Sequence, residues 1–510
     1  MVSPSNLPPH LTALLRPEAY PHAVAAVQLV ETHISWVFLT GELAYKIKRP
    51  VQYPFVDLRS RERRAFFCAE ELRLNRRFAP ELYLDVRAVT LDNGAARIAG
   101  HGEVVDHAVC MRQFRAADEL GSLLERGGAA PEELAEFGRE LARRHQQLPR
   151  VDVGEPWGRA ESIRAALLTN LTECQRAAEV FGADDAVRAL ADPYRERLAA
   201  DMGALESRRT AGHVRECHGD LHVGNIVRYG GRLVAFDCME FEPAFRWIDV
   251  AEEIAFLHMD LGVRRCTAQA QAFLGGYLFE GGDYPACRLL RLYGIHRALV
   301  RAKVAALRLA RDEHSRYLAW ARERLAYERP PLILMCGLAG SGKTWLARQL
   351  AAALGAVHLR SDIERRRIAG LDVRERSGSG LGRGLYADAM SVATYARLRA
   401  CAAETLAGGL SVIVDATFQR RDQRAQLAAL AAEQAAPLWV VHCHAPPAVL
   451  EARVAARSAA GTDASEADRA VLSLQEARFE PVSAAENLRV VDADTTADDV
   501  LARVLGEMRA

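Results

Sequence analysis

The chain has 510 residues, 50% hydrophobic and 26% charged; it exceeds the roughly 100–200 residues of one ordinary domain and holds material for two or three cores. Its 66 basic and 66 acidic residues balance, which excludes a global field drawing it to nucleic acid or anionic lipid. Ten cysteines without C-x-x-C spacing, no long apolar run and no signal-like amino terminus exclude a disulfide or zinc framework and a membrane span, and the expected location is cytoplasmic.

In chain order, Ser35–Lys48 reads as two strands joined at Thr40-Gly41-Glu42. Arg59–Phe78 is a helix candidate, followed by strands over Leu82–Val89 and Val104–Phe114. Apolar periodicity predicts helices over Pro131–Leu148, Ala160–Phe181 and Asp185–Arg208. The segment around His218 is a loop, Leu233–Phe236 a short strand after Gly230-Gly231, and Trp247 to about Tyr327 is almost wholly helical. Arg329-Pro330-Pro331 ends that pattern. Strands over Leu332–Cys336, Ala356–Leu359, Val412–Val414, Leu438–His442 and Leu488–Val491 then alternate with helices. Such alternation predicts a parallel sheet covered on both faces. The expected domains are 1–328 and 329–510, with Ser377-Gly378-Ser379-Gly380 in a mobile loop over the second site.

Only four of the basic residues are lysines: Lys46, Lys48, Lys303 and Lys343. Where arginine is the default cation, a lysine suggests a site that wants a compact point charge. Lys46 and Lys48 precede the loop His218-Gly219-Asp220-Leu221-His222-Val223-Gly224-Asn225 and the pair Phe236-Asp237. Phosphoryl transfer needs a carboxylate for the acceptor hydroxyl's proton and oxygen ligands for magnesium. Asp220 fits the first role, Asn225 and Asp237 the second. A strand lysine should touch the nucleotide phosphates and a helix glutamate should hold it; Lys46 or Lys48, and Glu70 or Glu71, fit, with Lys46 and Glu71 preferred. The two lysines share one face of a strand.

His-Gly-Asp-Leu-His-x-x-Asn with Phe-Asp-Cys-Met-Glu resembles the aminoglycoside phosphotransferase and choline kinase superfamily, relatives of the protein kinases, over about residues 20–328. The resemblance implies a protein-kinase-like fold, Asp220 as base, Asn225 and Asp237 on magnesium, and Lys46 on ATP. His218, His222 and Asp249 match scaffold positions that orient the loop. No glycine-rich loop precedes Lys46; Gly41 stands nearly alone. A polycationic acceptor would need carboxylates, and Glu240, Glu242, Glu252, Glu253 and Asp260 lie nearby in sequence.

Residues 337–344 spell a complete G-x-x-x-x-G-K-[ST] phosphate loop between a strand and a helix. Backbone amides around Gly337, Gly340, Ser341, Gly342 and Lys343 should cradle phosphates at a helix N-terminus. Lys343 adds charge and Thr344 a hydroxyl for magnesium. Asp362, in Ser361-Asp362-Ile363-Glu364-Arg365, would face the terminal phosphate, where an acceptor hydroxyl could be deprotonated, or cap a helix; Arg365 lies one turn on. The pair resembles the Ser-Asp-x-x-Arg of small P-loop kinases such as polynucleotide 5′-kinase, zeta-toxin-like and gluconate kinases. Asp415 ends a strand resembling Walker B, near magnesium or acceptor. Arg453 and Arg457 resemble lid arginines, with a solvated helix face as the alternative. Seven arginines between Arg360 and Arg383 could grip an anionic acceptor or form a solvated surface.

The joined architecture resembles bifunctional aminoglycoside phosphotransferase/ATP-binding proteins: an α/β and α+β chain of two domains, one kinase-like and one of P-loop NTPase fold. That resemblance implies an ATP- and magnesium-dependent kinase acting on a small-molecule hydroxyl acceptor (alcohol, sugar or nucleotide-like). The alternatives are a polynucleotide 5′-hydroxyl kinase in the second domain, against which the balanced charge counts, and a nucleotide-binding regulator in one domain.

Overall fold

The computed structural model describes residues 7–53, 56–92, 94–152, 154–326, 329–373, 388–460 and 469–509, and the side chains of 457–460 lie outside that description. The chain gathers into two compact units. One holds the residues up to Ala129 with Gln147–Gly158 and Ala211–Glu253; the other holds Ala130–Gln146, Arg159–Thr210 and the chain from Ile254 onward.

In the first unit a six-stranded antiparallel sheet contains Gln28–Glu31, Ser35–Leu39, Leu43–Lys48, Glu103–Arg112, Tyr83–Asp92 and Ala95–Ile98, in that spatial order. Period-two alternation splits the central Leu43–Lys48 strand between two environments. Tyr45 and Ile47 join Leu11, Leu14, Trp36 and Phe38 in one core. Ala44 faces the opposite core, built with Cys68, Leu82, Tyr83, Val227 and Val234, and Lys46 and Lys48 share that face. The helix Arg61–Asn75 lies against this inner face, its first turn capped by Ser60, whose side chain accepts from Arg63 N–H. The loop after Val214–Glu216 leads into the hairpin Ile226–Tyr229 and Arg232–Ala235.

The second unit combines helices with a five-stranded sheet. The strands run Val357–Arg360, Val412–Asp415, Leu332–Cys336, Leu438–His444, Arg489–Asp494 across the sheet, all parallel. The first of them in sequence, Leu332–Cys336, is therefore central, with its successors on both sides. That order creates a crevice at the carboxyl ends of the strands, where open α/β sheets bind ligands. The sheet's core contains Ile333, Met335, Leu346, Leu350, Ile413, Val441 and Val504.

The predicted protein-kinase-like and P-loop folds are both present. The structure corrects several element assignments. Asp185–Arg208 is two helices, Asp184–Arg188 and Ala191–Thr210. A continuous helix would bury Pro193 in its interior, where the ring lacks an N–H and clashes; the break instead places it in a first turn. Trp247–Asp249 is a short strand paired with Val214–Glu216, ahead of the helical run. The edge strands Gln28–Glu31 and Ala95–Ile98 are additions to the expected set; each is only four residues long, too short to stand out as a local pattern. The predicted mobile loop at Arg374–Gly384 lies outside the described residues. Among the described residues, no helix is long and apolar enough to cross a membrane.

Helices Pro131–Gln147 and Thr267–Gly281 cross at backbone contact: a Cβ on Gly276 would lie 2.0 Å from the Ala135 carbonyl oxygen. Gly276→Ala is expected to push the helices apart and cost about 1–3 kcal/mol, the usual range for overpacking. Urea unfolding of the full chain measures it, and an unchanged midpoint would contradict this packing.

Candidate functional site

The structure gathers the sequence-predicted residues into two clusters, one in each unit. In the first, Lys46 Nζ lies 2.9 Å from Glu71 Oε1 and 2.5 Å from Asp237 Oδ1. Lys48, one strand period away and fully buried, contacts both Glu71 and Glu240. Burial alone would push both ammonium groups down, but the surrounding carboxylates hold Lys46 well above and Lys48 above the ordinary lysine value. Burial likewise opposes ionisation of Glu71, yet the two lysines bring it down to about 2. Glu240, where burial outweighs Lys48, is pushed up to about 7. Glu70 instead pairs with Arg73 at 2.9 Å and lies 3.7 Å from Arg246. Glu71 therefore touches both lysines, and of the two lysines Lys46 is the one that reaches Asp237.

The loop carrying Asp220 is fixed from several sides. Glu253 accepts the backbone N–H of His218 at 2.6 Å and of Gly219 at 2.9 Å. His218 Nε2 lies 2.9 Å from the Phe236 carbonyl, and its Nδ1 is 3.3 Å from the Asp220 N–H. Both contacts are met by one neutral tautomer, protonated at Nε2, and burial pushes this histidine's pKa down. His218 thus ties the loop to the Asp237 segment. Asn225 Nδ2 donates to the Asp220 carboxylate at 3.0 Å and to its carbonyl at 2.9 Å. Phe236 N–H returns to the Asn225 carbonyl at 3.0 Å, and Asp237, at φ +64°, donates its N–H to Tyr83 Oη at 3.1 Å. His222 lies 3.6 Å from Asp220, and Asp249 accepts Ala251 N–H at 2.8 Å. Asp220, Asn225, Asp237, Lys46 and Glu71 are linked through these bonds. Asn225 and Asp237 offer amide and carboxylate oxygens, the hard donors that suit magnesium.

Several residues here carry no motif. Glu216, buried two positions before His218, receives Arg73 at 2.8 Å, Arg77 at 3.0 Å and Arg246 at 3.1 Å. Asn75 Oδ1 accepts Cys238 N–H at 2.9 Å. Of the acids weighed for a polycation, Glu240 is engaged with Lys48, Glu242 with the Ala244 N–H at 3.2 Å, Glu253 with the loop, and Asp260 with the Tyr317 hydroxyl at 2.6 Å, while Glu252 is buried.

In the second unit the phosphate loop opens on a cavity of about 1000 Å³, lined among others by Lys343, Thr344, Asp362, Arg365, Asp415 and Arg453. The loop's backbone admits no side chain: a Cβ on Gly337 would lie 2.2 Å from the Cys443 carbonyl oxygen, and one on Gly340 2.6 Å from that of Leu450. Such a bare cradle fits phosphate oxygens held by amides. Gly342, in the left-handed conformation, begins the helix Lys343–Leu354. Lys343 Nζ donates to the Leu338 carbonyl at 2.6 Å, and burial lowers its pKa. Ser341 Oγ is 3.5 Å from that ammonium.

Asp415 ends its strand beside His358 Nε2 at 3.1 Å and the Thr344 hydroxyl. Burial would raise the Asp415 carboxyl, but His358 and Arg360 hold it below the ordinary carboxylate range. The Thr344 and Asp415 oxygens are again donors that suit magnesium. Asp362 is the second residue of the helix Ser361–Ile368, inside it, so the capping alternative does not hold; Arg360 occupies the cap position. Arg365 Nη1 lies 3.4 Å from Asp362. Arg453 donates to Thr495 Oγ1 at 2.8 Å and approaches the Gly340 carbonyl at 3.4 Å. Arg457 is on the same helix, but its side chain lies outside the described residues. Of the arginine-rich stretch, Arg366 turns inward to the Val373 carbonyl at 2.8 Å, and Arg374, Arg376 and Arg383 lie outside the described residues.

Residues 61–290 match the model of the phosphotransferase enzyme family, and residues 332–482 match that of the AAA domain. An uncharacterized protein of Mycobacterium tuberculosis (strain H37Rv) is 30% identical over 460 residues, covering 89% of this chain and 91% of that protein; a counterpart in Mycobacterium bovis gives the same figures. The chain belongs to this two-domain family. Among solved structures, this chain is similar to the GDP and kanamycin complex of APH(2")-IIia, with 11% identity, 60% of this chain and 95% of that chain covered, and a TM-score of 0.37. It is also similar to the Mycobacterium tuberculosis APS kinase CysC in complex with AMPPNP and APS, with 20% identity, 36% of this chain and 99% of that chain covered, and a TM-score of 0.27. The two kinase-type regions of this family member support a phosphotransferase enzyme.

Replacing Glu71 leaves two buried ammonium groups short of a partner. Glu71→Gln is expected to destabilise the fold by about 3–5 kcal/mol at neutral pH, as breaking a buried ion pair does. Because the folded pKa of Glu71 is depressed to about 2, its contribution is complete above the unfolded value near 4.5 and disappears as pH falls toward 2. The gap between urea melts of the two forms should be clearly smaller at pH 3 than at pH 6; a constant gap would contradict the ion-pair account.

Proposed function

We propose that this protein is an ATP- and magnesium-dependent phosphotransferase with two kinase-type sites, one in residues 1–328 and one in 329–510, each acting on a small-molecule hydroxyl acceptor. The observation that carries this reading is a repeated arrangement. In each cluster a partly exposed aspartate, Asp220 or Asp362, accompanies a lysine, Lys46 or Lys343, and a second aspartate, Asp237 or Asp415, a set that supports phosphate and magnesium binding beside a base.

Upstream, Asp220 takes the acceptor hydroxyl's proton, with Asn225 holding the carboxylate toward the reaction. Lys46, steered by Glu71, steadies the nucleotide phosphates, and Asn225 and Asp237 hold magnesium. Downstream, the amides of Gly340 to Lys343 and the Lys343 ammonium hold the phosphates, Thr344 and Asp415 hold magnesium, and Asp362 takes the acceptor proton. Arg365 and Arg453 meet negative charge on the transferring group. Bound magnesium would neutralise charge on the phosphates at both sites. The internal use of Glu240, Glu253 and Asp260 supports an uncharged or anionic acceptor upstream over a polycation.

Calorimetry with magnesium and a non-hydrolysable ATP analogue is expected to give two equivalents per chain. Incubation with ATP and a metabolite extract, read by mass spectrometry, should yield phosphorylated alcohols. Asp220→Asn and Asp362→Asn should each remove a different subset of products, about 10²–10⁴-fold in rate, while binding persists, as loss of a general base does. If both variants together leave every product forming at its original rate, the proposal is wrong.

A further inference from the structure

The helix Ser361–Ile368 has two faces with different partners. At 100° per residue, Asp362 and Arg365 share one side, and Glu364 and Arg367 the opposite one. The first side looks into the cavity. On the second, Glu364 is fully buried, and its carboxylate accepts from Arg367 Nε at 3.0 Å and from Arg397 Nε at 3.1 Å.

Those two guanidinium groups continue to the end of another helix in the same unit. Arg367 donates to the carbonyls of Leu278 and Glu280, each at 3.2 Å, and to that of Phe279. Arg397 donates to the Gly282 carbonyl at 3.0 Å. Leu278, Phe279 and Glu280 belong to the last turn of the helix Thr267–Gly281, and Gly282 is its cap. Carbonyls in a last turn lack intrahelical partners and form the negative end of the helix dipole. The Leu278 carbonyl already accepts the Gly282 N–H at 2.9 Å; the two arginines add a second donor there and reach the Phe279, Glu280 and Gly282 carbonyls, and Glu364 holds both arginines in place.

An eight-residue helix is too short to be stable by propensity alone. Its direction must come from tertiary anchors, and this cluster is a charged, many-pronged one. We infer that Glu364, Arg367 and Arg397 are positioning residues for the downstream reaction: they fasten the back of the Ser361–Ile368 helix to the carbonyl end of Thr267–Gly281 and so set where Asp362 and Arg365 stand. The phosphate loop is built on a different strand and helix. Nucleotide binding and phosphoryl transfer at this site are therefore separable, and transfer depends on residues well upstream of the parallel sheet. The inference rests on the proposed role of Asp362.

The test uses the full chain carrying Asp220→Asn, so that the downstream site alone reports, with water as the phosphoryl acceptor and ATP hydrolysis as the readout. Glu364→Gln and Arg367→Ala are expected to leave the KM for magnesium ATP in that hydrolysis within about twofold and lower kcat about tenfold to a hundredfold, as a misplacement near 1 Å does. Arg367→Lys, which keeps the charge but loses the fork, should fall between them and the parent. Arg399→Ala, on the helix of Arg397 but in an exposed pair with Glu433, should change neither value. A kcat unchanged in the first two variants overturns the inference. So does a rise in that KM in step with the fall in kcat, which would mean general loosening. Asp362→Asn separates the layers: if it leaves hydrolysis intact, the role of Asp362 fails and takes the inference with it. If it abolishes hydrolysis while Glu364→Gln and Arg367→Ala do not lower it, only the positioning claim fails.

Discussion

A charge taken out of water costs several kcal/mol unless another group compensates it, and a phosphate-handling protein must nevertheless keep ammonium and carboxylate groups close together in sheltered places. Both clusters follow from that constraint. Lys46 and Lys48 are buried on one strand face only because Glu71, Glu240 and Asp237 meet them. In the parallel-sheet region Asp415 leans on His358, and Lys343 turns to a loop carbonyl. The scaffold obeys the same rule. Glu216 is shared by three arginines, and fully buried Arg424 is met by Glu486 at 2.8 Å.

The sharing of Glu71 deserves a physical reading. A single lysine and glutamate would neutralise each other and leave the lysine little reason to face a phosphate. With Lys48 and Glu240 alongside, Glu71 is contacted from two directions, and Lys46 retains a second contact toward the open Asp237 carboxylate, whose side chain is 43% exposed. Lys46 therefore sits at the boundary between a closed ionic cluster and the accessible side of the site. That position is what a phosphate-binding cation needs.

Much of this was legible in the sequence because backbone rules produced it. The phosphate loop is dictated by glycines whose Cβ atoms would strike neighbouring carbonyls, so its spelling and its geometry are one fact. The Asp220 loop was equally readable, since its aspartate and asparagine are spaced by a tight turn. The choice between Lys46 and Lys48 was not, because both share a face and only the tertiary positions of Asp237 and Glu240 separate them. Glu216 and Asn75 were invisible for the same reason, and Glu253 was read only as a carboxylate for an acceptor: each acts on backbone or arginine groups distant in sequence. The break before Ala191 was signalled by Pro193, but helical periodicity on both sides masked it. The short strand Trp247–Asp249 depends on a partner some thirty residues earlier, beyond any local pattern.

The placement of the few lysines has a further consequence. Lys46 and Lys48 are buried in the ionic cluster, Lys343 lies on the floor of the cavity, and Lys303 alone pairs at the surface, with Glu173. The rest of the positive exterior is arginine, which does not take acetyl groups at its guanidinium under mild conditions. Acylating reagents and enzymes that modify ε-amines thus find few side-chain targets, Lys303 in its pair with Glu173 and Lys343 where the cavity admits them, and most of the outer charge of the molecule is closed to that route of adjustment.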